Sequence, residues 1–77
     1  MNSREAFSQV LRNARKEKNL TQEELAELAD ISERYVRMLE KNTYQPSLST
    51  LDSLSKALGI PKSEIILAIE KLEHQNT

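Results

Sequence analysis

The fold is decided by one stretch of the sequence, LTQEELAELADISERYVRMLEKN at residues 20–42. Its start fits a capping box, because the Thr21 side chain can bond the amide of Glu24 while the Glu24 carboxylate reaches back. The helix that begins there has an apolar stripe formed by Leu25, Ala26, Leu28 and Ala29. After a break at residues 30–31, Ser32 is a typical N-cap for another helix. The stretch therefore predicts two short helices joined by a tight corner.

Further helices flank this corner, and the one glycine and two prolines of the chain mark their ends. The first helix is predicted over about residues 4–18, with Ser3 as its N-cap. A fourth begins at residues 46–47 and ends at Gly59, and its inward side chains are predicted to be Leu48, Leu51, Leu54 and Leu58. No segment alternates with a period of two, so the sequence predicts an all-α chain and a single domain over residues 1–77.

A fifth helix is predicted over about residues 61–73, because Pro61 suits a first helical turn. Its apolar residues occupy more of the circumference than one contact with a core can cover. One interpretation is that all of them complete the core of the monomer. We instead expect a self-complementary dimer interface, since such a patch stabilises a small domain. The residues expected in this interface are Ile65, Ile66, Ile69 and Leu72.

Composition excludes several classes of protein. The chain has 77 residues and no cysteine, which excludes a disulfide scaffold or a thiolate metal site. Its longest apolar run, residues 65–69, is far shorter than the roughly 20 residues of a membrane span, so we expect a cytoplasmic protein without a membrane partner. His74 is the only histidine and has no partner at metal-ligand spacing. Without a glycine-rich loop or a catalytic base, we expect neither an enzyme, a cofactor nor a small-molecule ligand.

Several short segments, in order, resemble the phage-repressor/Cro (Xre-type) helix-turn-helix family. They are residues 20–26, 31–32, 39–42, 46–51 and 58–60. The resemblance covers about residues 4–72 and implies a five-helix, lambda-repressor-like DNA-binding domain with its helix-turn-helix at about residues 21–42. The terminal fifth helix looks most like that of controller proteins of restriction–modification systems. Relatives often have glycine in the turn where this chain has Asp30, a residue that tolerates a left-handed conformation.

The resemblance also implies roles for individual side chains, with helix three in the major groove of double-stranded DNA. The expected base-reading residues are Ser32, Glu33, Arg34, Arg37 and Met38. The arginines suit guanine, whose O6 and N7 a guanidinium can grip together for about 1–3 kcal/mol of discrimination. Glu33 cannot donate to adenine, so it would accept from cytosine N4 or orient a neighbouring arginine. Expected contacts to the DNA backbone come from Thr21, Gln22, Thr43, Tyr44 and Gln45.

Arg15 and Glu40 are assigned to structure by the same resemblance, which implies a partly buried ion pair between helices one and three. A dimer of this kind would place two recognition helices about 34 Å apart, on a pseudo-palindromic operator. Regulation would then work by occupancy, as an activator and autorepressor of a restriction–modification operon, with RNA polymerase as a further partner. A phage-type repressor and an antitoxin autoregulator remain alternatives of the same class.

The net charge of −1 is unusual for a DNA-binding protein, which typically has an excess of basic residues. The charges are unevenly distributed, since residues 20–30 contain four acidic and no basic side chains. The small net charge predicts weak non-specific attraction to DNA. It also leaves open an alternative from another class, a protein-interaction module that uses helix five and does not bind DNA.

Overall fold

The computed structural model describes residues 1–41 and 44–75, and over these ranges the chain is helical without a strand. The helices are α1 (Ser3–Glu17), α2 (Gln22–Ala29), α3 (Glu33–Glu40), α4 (Leu48–Leu58) and α5 (Lys62–Glu73). The predicted all-α, five-helix fold is confirmed. None of these helices is long and apolar enough to cross a membrane.

Side-chain caps define where four of the helices begin. Thr21 and Glu24 form the predicted capping box, with Glu24 N 3.0 Å from Thr21 Oγ1 and Thr21 N 2.8 Å from Glu24 Oε1. Ser32 accepts from the amide of Tyr35 at the start of α3, and a serine caps α4 in the same way. The N-cap of α1 is Asn2 and not Ser3, which corrects the sequence prediction. Asn2 has the extended backbone of a cap, and Ser3 is already helical.

Three helices are followed, within two residues of their last helical residue, by a residue in the left-handed conformation. These residues are Asn19 (φ 58°), Asp30 (φ 58°) and Gly59 (φ 67°). In each case the next residue is apolar, packs against the core and donates its amide to a carbonyl five positions earlier, at 3.0–3.1 Å. This is the Schellman arrangement, which satisfies carbonyls that a helix end leaves free. Asp30 in this position closes α2 and turns the chain directly into α3.

The core lies between the helices, with α1 packed against α3 and α5, α2 against α3 and α4, and α4 against α5. Its largest fully buried apolar side chains are Leu25, Leu39, Leu54 and Val36. Two leucines expected to face inward do not. Leu28 is largely exposed, because α2 turns Leu25, Ala26 and Ala29 toward the core. Leu48 is 85% exposed, since it is the first residue of α4 and its side chain points back beyond the helix start.

Candidate nucleic-acid interface

Helix α3 has one face in the core and one face in solvent. Val36, Leu39 and Glu40 are buried, and the first two belong to the apolar core. Among the side chains expected to read bases, Ser32, Arg34 and Arg37 are exposed, whereas Glu33 and Met38 are half-buried. Ser32 also caps the helix, so its hydroxyl already accepts the Tyr35 amide at 3.0 Å. The solvent face therefore presents two cations, Arg34 in the first turn of α3 and Arg37 in its last turn.

The two arginines of this face differ in their surroundings. Arg37 forms an ion pair with Glu33 one turn earlier, at 2.8 Å between Nη1 and Oε2. Both side chains of the pair are partly open to solvent, at 44% and 43% exposure. Within residues 1–41 and 44–75, no hydrogen bond or ion pair engages the Arg34 side chain. Arg34 is thus the uncompensated cation of α3, and Arg37 is a compensated one.

The buried end of α3 is held by a polar cluster around the Glu40 carboxylate. The structure brings Arg15 of α1 to it, with Nε 2.7 Å from Oε2 and Nη2 3.0 Å from Oε1. Gln22 of α2 adds a bond from Nε2 to Oε1 at 3.1 Å. The Arg15 and Glu40 side chains are only 12% and 3% exposed. One carboxylate therefore ties α1, α2 and α3 together.

Hydrogen bonding to Glu40 also changes the acid–base behaviour of Arg15. The bond raises the pKa of the Arg15 guanidinium, burial acts against this rise, and the charge of Glu40 adds to it. The net direction is upward, so the folded protein holds the guanidinium in its charged form. The same group donates from Nη1 to the Leu20 carbonyl at 2.9 Å, which fixes the loop before α2.

Helix α1 additionally satisfies the carbonyls at the end of α3. Ser8 Oγ donates to the Leu39 carbonyl at 2.6 Å in a buried position. Arg12 Nη1 donates to the Glu40 carbonyl at 2.5 Å. A cation at a helix C-terminus also interacts favourably with the helix dipole. Sequence reasoning missed both roles, because nothing in the spacing of α1 shows which residues face the end of another helix.

The chain was also compared with known proteins. The sequence profile of the helix-turn-helix family matches residues 11–65. The chain belongs to the helix-turn-helix family. This is a family of transcriptional regulators, so the expectation of a regulator rather than an enzyme is confirmed at the level of the family.

Relatives within the helix-turn-helix family include phage repressors and control proteins. The chain is 47% identical over 58 residues to the immunity repressor protein of Bacillus phage phi105, a match that covers 75% of this chain but only 40% of that repressor. It is 35% identical over 66 residues to the control protein C.BamHI of Bacillus amyloliquefaciens, covering 84% and 82% of the two chains. The crystal structure of the restriction–modification controller protein C.AhdI from Aeromonas hydrophila superposes with a TM-score of 0.78 at 35% identity, over 80% of this chain and 94% of that one.

The residues expected to contact the DNA backbone lie at two places in this helix-turn-helix chain. Thr21 and Gln22 stand at the start of α2, where Thr21 is exposed and Gln22 is half-buried with one amide hydrogen on Glu40. Tyr44 and Gln45 are exposed before α4. Thr43 lies outside the described residues.

The face of α5 differs from the expected one. Ile65 is 4% exposed and belongs to the core, so its side chain is not part of a surface patch. Ile69 and Leu72 are half-buried, and Ile69 packs partly against the core. The exposed apolar side chains are Ile66 at 44% and Leu67 at 53%. Sequence reasoning left Leu67 out, because an almost uninterrupted apolar run does not show how a helix is rotated.

Proposed function

We propose that this chain is a sequence-specific DNA-binding regulator that acts as a homodimer on a pseudo-palindromic operator, as the controller of a restriction–modification operon. The observation that carries the DNA-binding part is the construction of α3. Arg34 and Arg37 lie in solvent on one side of the helix, while Glu40 locks the other side to two neighbouring helices. A base-reading side chain must be held in place by its support, and α3 has that support.

The proposed interface separates base reading from backbone contact. Arg34 and Arg37 suit a bidentate contact with guanine in the major groove. Gln22 and Thr21 at the start of α2, and Tyr44 and Gln45 before α4, are proposed to contact phosphates on either side. Such contacts position a protein on the duplex without reading its sequence.

The charge distribution supports the view that affinity for DNA depends on a few specific contacts. Residues 20–30 contain Glu23, Glu24, Glu27 and Asp30 and no basic side chain, and all of these carboxylates lie on exposed residues. With a formal net charge of −1, general attraction to DNA is weak. Affinity would have to come from specific contacts that are doubled by a second copy of the chain.

The proposed dimer interface centres on α5, where Ile66 and Leu67 are exposed and Ile69 lies at the edge. On another side of α5, this helix and α1 enclose an open groove of ≈ 450 Å³ that is lined by apolar side chains such as Val10 and Ala68 and by the charged side chains of Glu17, Glu64 and Lys71. The exposed apolar side chains of α5 form a surface that two copies can bury against each other. Occupancy of a promoter by such a dimer would block RNA polymerase, and a site just upstream would allow recruitment.

The controller assignment is supported by the extent of the matches. C.BamHI and C.MunI are matched over 82% and 89% of their own lengths, at 35% and 38% identity. A second candidate, a phage-type repressor, is favoured by the higher identity of 47% to the phi105 immunity repressor. Both candidates share the operator-binding mechanism and differ in the genes they control.

Selection of bound sequences from a random duplex pool tests the proposal. We expect an enriched site with two related half-sites about 34 Å apart, centre to centre. Equilibrium sedimentation of the free protein should show a dimer at tens of micromolar. A pool without an enriched sequence would contradict DNA reading, and a chain that stays monomeric at this concentration would contradict the dimer.

A further inference from the structure

The exposed ion pair of α3, between Glu33 and Arg37, suggests that the two side chains have different roles in reading DNA. We propose that Glu33 is a positioning residue, which enters the groove paired with Arg37 and turns that arginine toward guanine. The inference rests on the proposed function, because it assumes that α3 contacts DNA. It departs from a direct base-reading role for Glu33, since in this arrangement the carboxylate acts through the arginine.

The geometry of the pair leaves one edge of the Arg37 guanidinium, formed by Nε and Nη2, free to bind a second acceptor. Glu33 Oε2 accepts from Nη1 at 2.8 Å, and no other partner of the Arg37 guanidinium occurs in residues 1–41 and 44–75. Its Nε and Nη2 groups therefore stay available. These are the same groups with which Arg15 grips both oxygens of Glu40, at 2.7 and 3.0 Å. A side-on edge that fits two carboxylate oxygens also fits O6 and N7 of guanine.

Charge compensation decides which acceptor this edge prefers. A free guanidinium near DNA is attracted to any phosphate, whatever the sequence. The Arg37 charge is already balanced by Glu33, so a phosphate would place two anions around one cation. A neutral acceptor pair such as O6 and N7 carries no such penalty. Glu33 thus shifts Arg37 from backbone contact to base contact.

The position of Glu33 in α3 favours formation of the ion pair with Arg37 before DNA is bound. Glu33 is the first residue of α3, directly after the Ser32 cap, where a carboxylate interacts favourably with the helix dipole. Arg37 follows four residues later, on the same face, in the order that favours such pairs. Holding the arginine before binding reduces the rotamer freedom that DNA binding would otherwise remove.

The test compares operator selection by the wild-type chain, Glu33→Gln, Arg37→Ala and the double variant. We expect Glu33→Gln and Arg37→Ala to lose preference at the same base pair of each half-site, by about 5- to 100-fold. The double variant should discriminate no worse than Arg37→Ala alone, since both changes remove one shared contact. The salt dependence of Glu33→Gln binding should steepen by about one unit of log–log slope, because Arg37 becomes free for a phosphate.

The matched control is Glu27→Gln, which removes the same charge from an exposed position on α2. It should keep the preference at the Arg37 base pair. A Glu33→Gln variant that changes preference at a different base pair would overturn the inference in favour of direct reading by Glu33. A variant with unchanged preference and salt slope would overturn it in favour of a surface pair without a role. If the wild-type chain enriches no sequence, the proposed function itself fails, which is distinct from both of these results.

Discussion

Helix α3 takes part in two arginine–glutamate pairs with opposite properties. Arg15 and Glu40 join two helices in the interior, share two hydrogen bonds and leave almost no side-chain surface in water. Glu33 and Arg37 lie within one helix, share a single contact and are both open to solvent. The same two residue types therefore serve different faces of one helix.

The difference between the pairs shows which part of α3 is fixed to the interior and which part stays in solvent. Interior charges are costly to desolvate, and the inner pair is acceptable because Gln22 and the loop at Leu20 complete its hydrogen bonds. Exposed pairs contribute little to folding, so the outer pair adds little to the stability of α3. A fixed inner end and a free outer face are what a helix needs in order to present side chains to DNA.

Removing the Glu40 carboxylate is expected to have the largest effect on the contrast between the two pairs. Glu40→Ala leaves the Arg15 guanidinium buried without its partner, and we expect the free energy of unfolding to fall by about 3–5 kcal/mol. Urea denaturation measures the change. Operator binding should also weaken even where the variant is folded, because α3 loses its connection to α1 and α2.

A double variant separates the loss of the pair from the presence of an unpaired charge. Arg15→Met combined with Glu40→Leu replaces both charges by apolar groups, and we expect it to regain part of the lost stability. A single Glu40→Ala change that costs less than about 1 kcal/mol would show that the cluster is not what fixes α3.

Substitutions on the solvent face of α3 should change operator affinity and leave stability almost unchanged. Arg34→Ala is expected to leave the free energy of unfolding within about 0.5 kcal/mol, because the side chain is exposed. Operator affinity should fall by about 1–3 kcal/mol, measured by titration of labelled duplex at one fixed salt concentration. Arg4→Ala is the matched control, since Arg4 is an exposed arginine of α1 for which no ion pair occurs in residues 1–41 and 44–75. Equal losses for the two variants would indicate a general charge effect and not a contact by α3.

The buried cap at the end of α3 gives a smaller effect. Ser8→Ala removes the bond to the Leu39 carbonyl and should lower the free energy of unfolding by about 1–2 kcal/mol. Ser53→Ala serves as control, because Ser53 makes a comparable bond to the Ser49 carbonyl on the exposed side of α4. Chemical denaturation of both variants measures the difference. Equal stabilities would mean that water replaces Ser8 at no cost.

Sequence reasoning was most accurate where structure depends on near neighbours. The capping box of Thr21 and Glu24 and the cap at Ser32 involve residues three positions apart, so their pattern is visible in the sequence. Ser3 failed as a cap because Asn2 beside it is an equally good candidate, and caps compete within one residue.

Contacts between helices were the part that sequence could not supply. The rotation of α5, which buries Ile65 and exposes Leu67, depends on how α1 and α4 pack against it. The Arg15–Glu40 contact was expected only through resemblance to a family. Spacing gave no sign that Gln22 joins it, because that contact links residues 18 positions apart.

The smallest effect concerns an exposed ion pair outside α3, which shows whether such pairs matter to folding anywhere in the chain. Asp52 of α4 contacts Lys62 at 3.0 Å and Lys56 at 3.2 Å. Hydrogen bonds from Lys62 and then Lys56 lower the pKa of the Asp52 carboxyl. A lowered pKa means that the folded state favours the ionised carboxylate. The resulting stability is present above the unfolded pKa of about 3.9 and is lost as the pH falls through the folded value below it.

The measurement compares urea midpoints of the wild-type chain and Asp52→Asn. At about pH 7 we expect a barely resolvable loss in the variant, because solvent screens an exposed pair. As the pH falls below about 4 and then through the lower pKa of the folded state, the two midpoints should converge, since the wild-type carboxyl then becomes protonated as well. A large loss at neutral pH would mean that this exposed pair stabilises the fold as strongly as Arg15 and Glu40 do. Exposure would then not explain why the two pairs of α3 differ in their contribution to stability. A small loss would support the expectation that exposed pairs of this chain, Glu33 and Arg37 included, contribute little to folding.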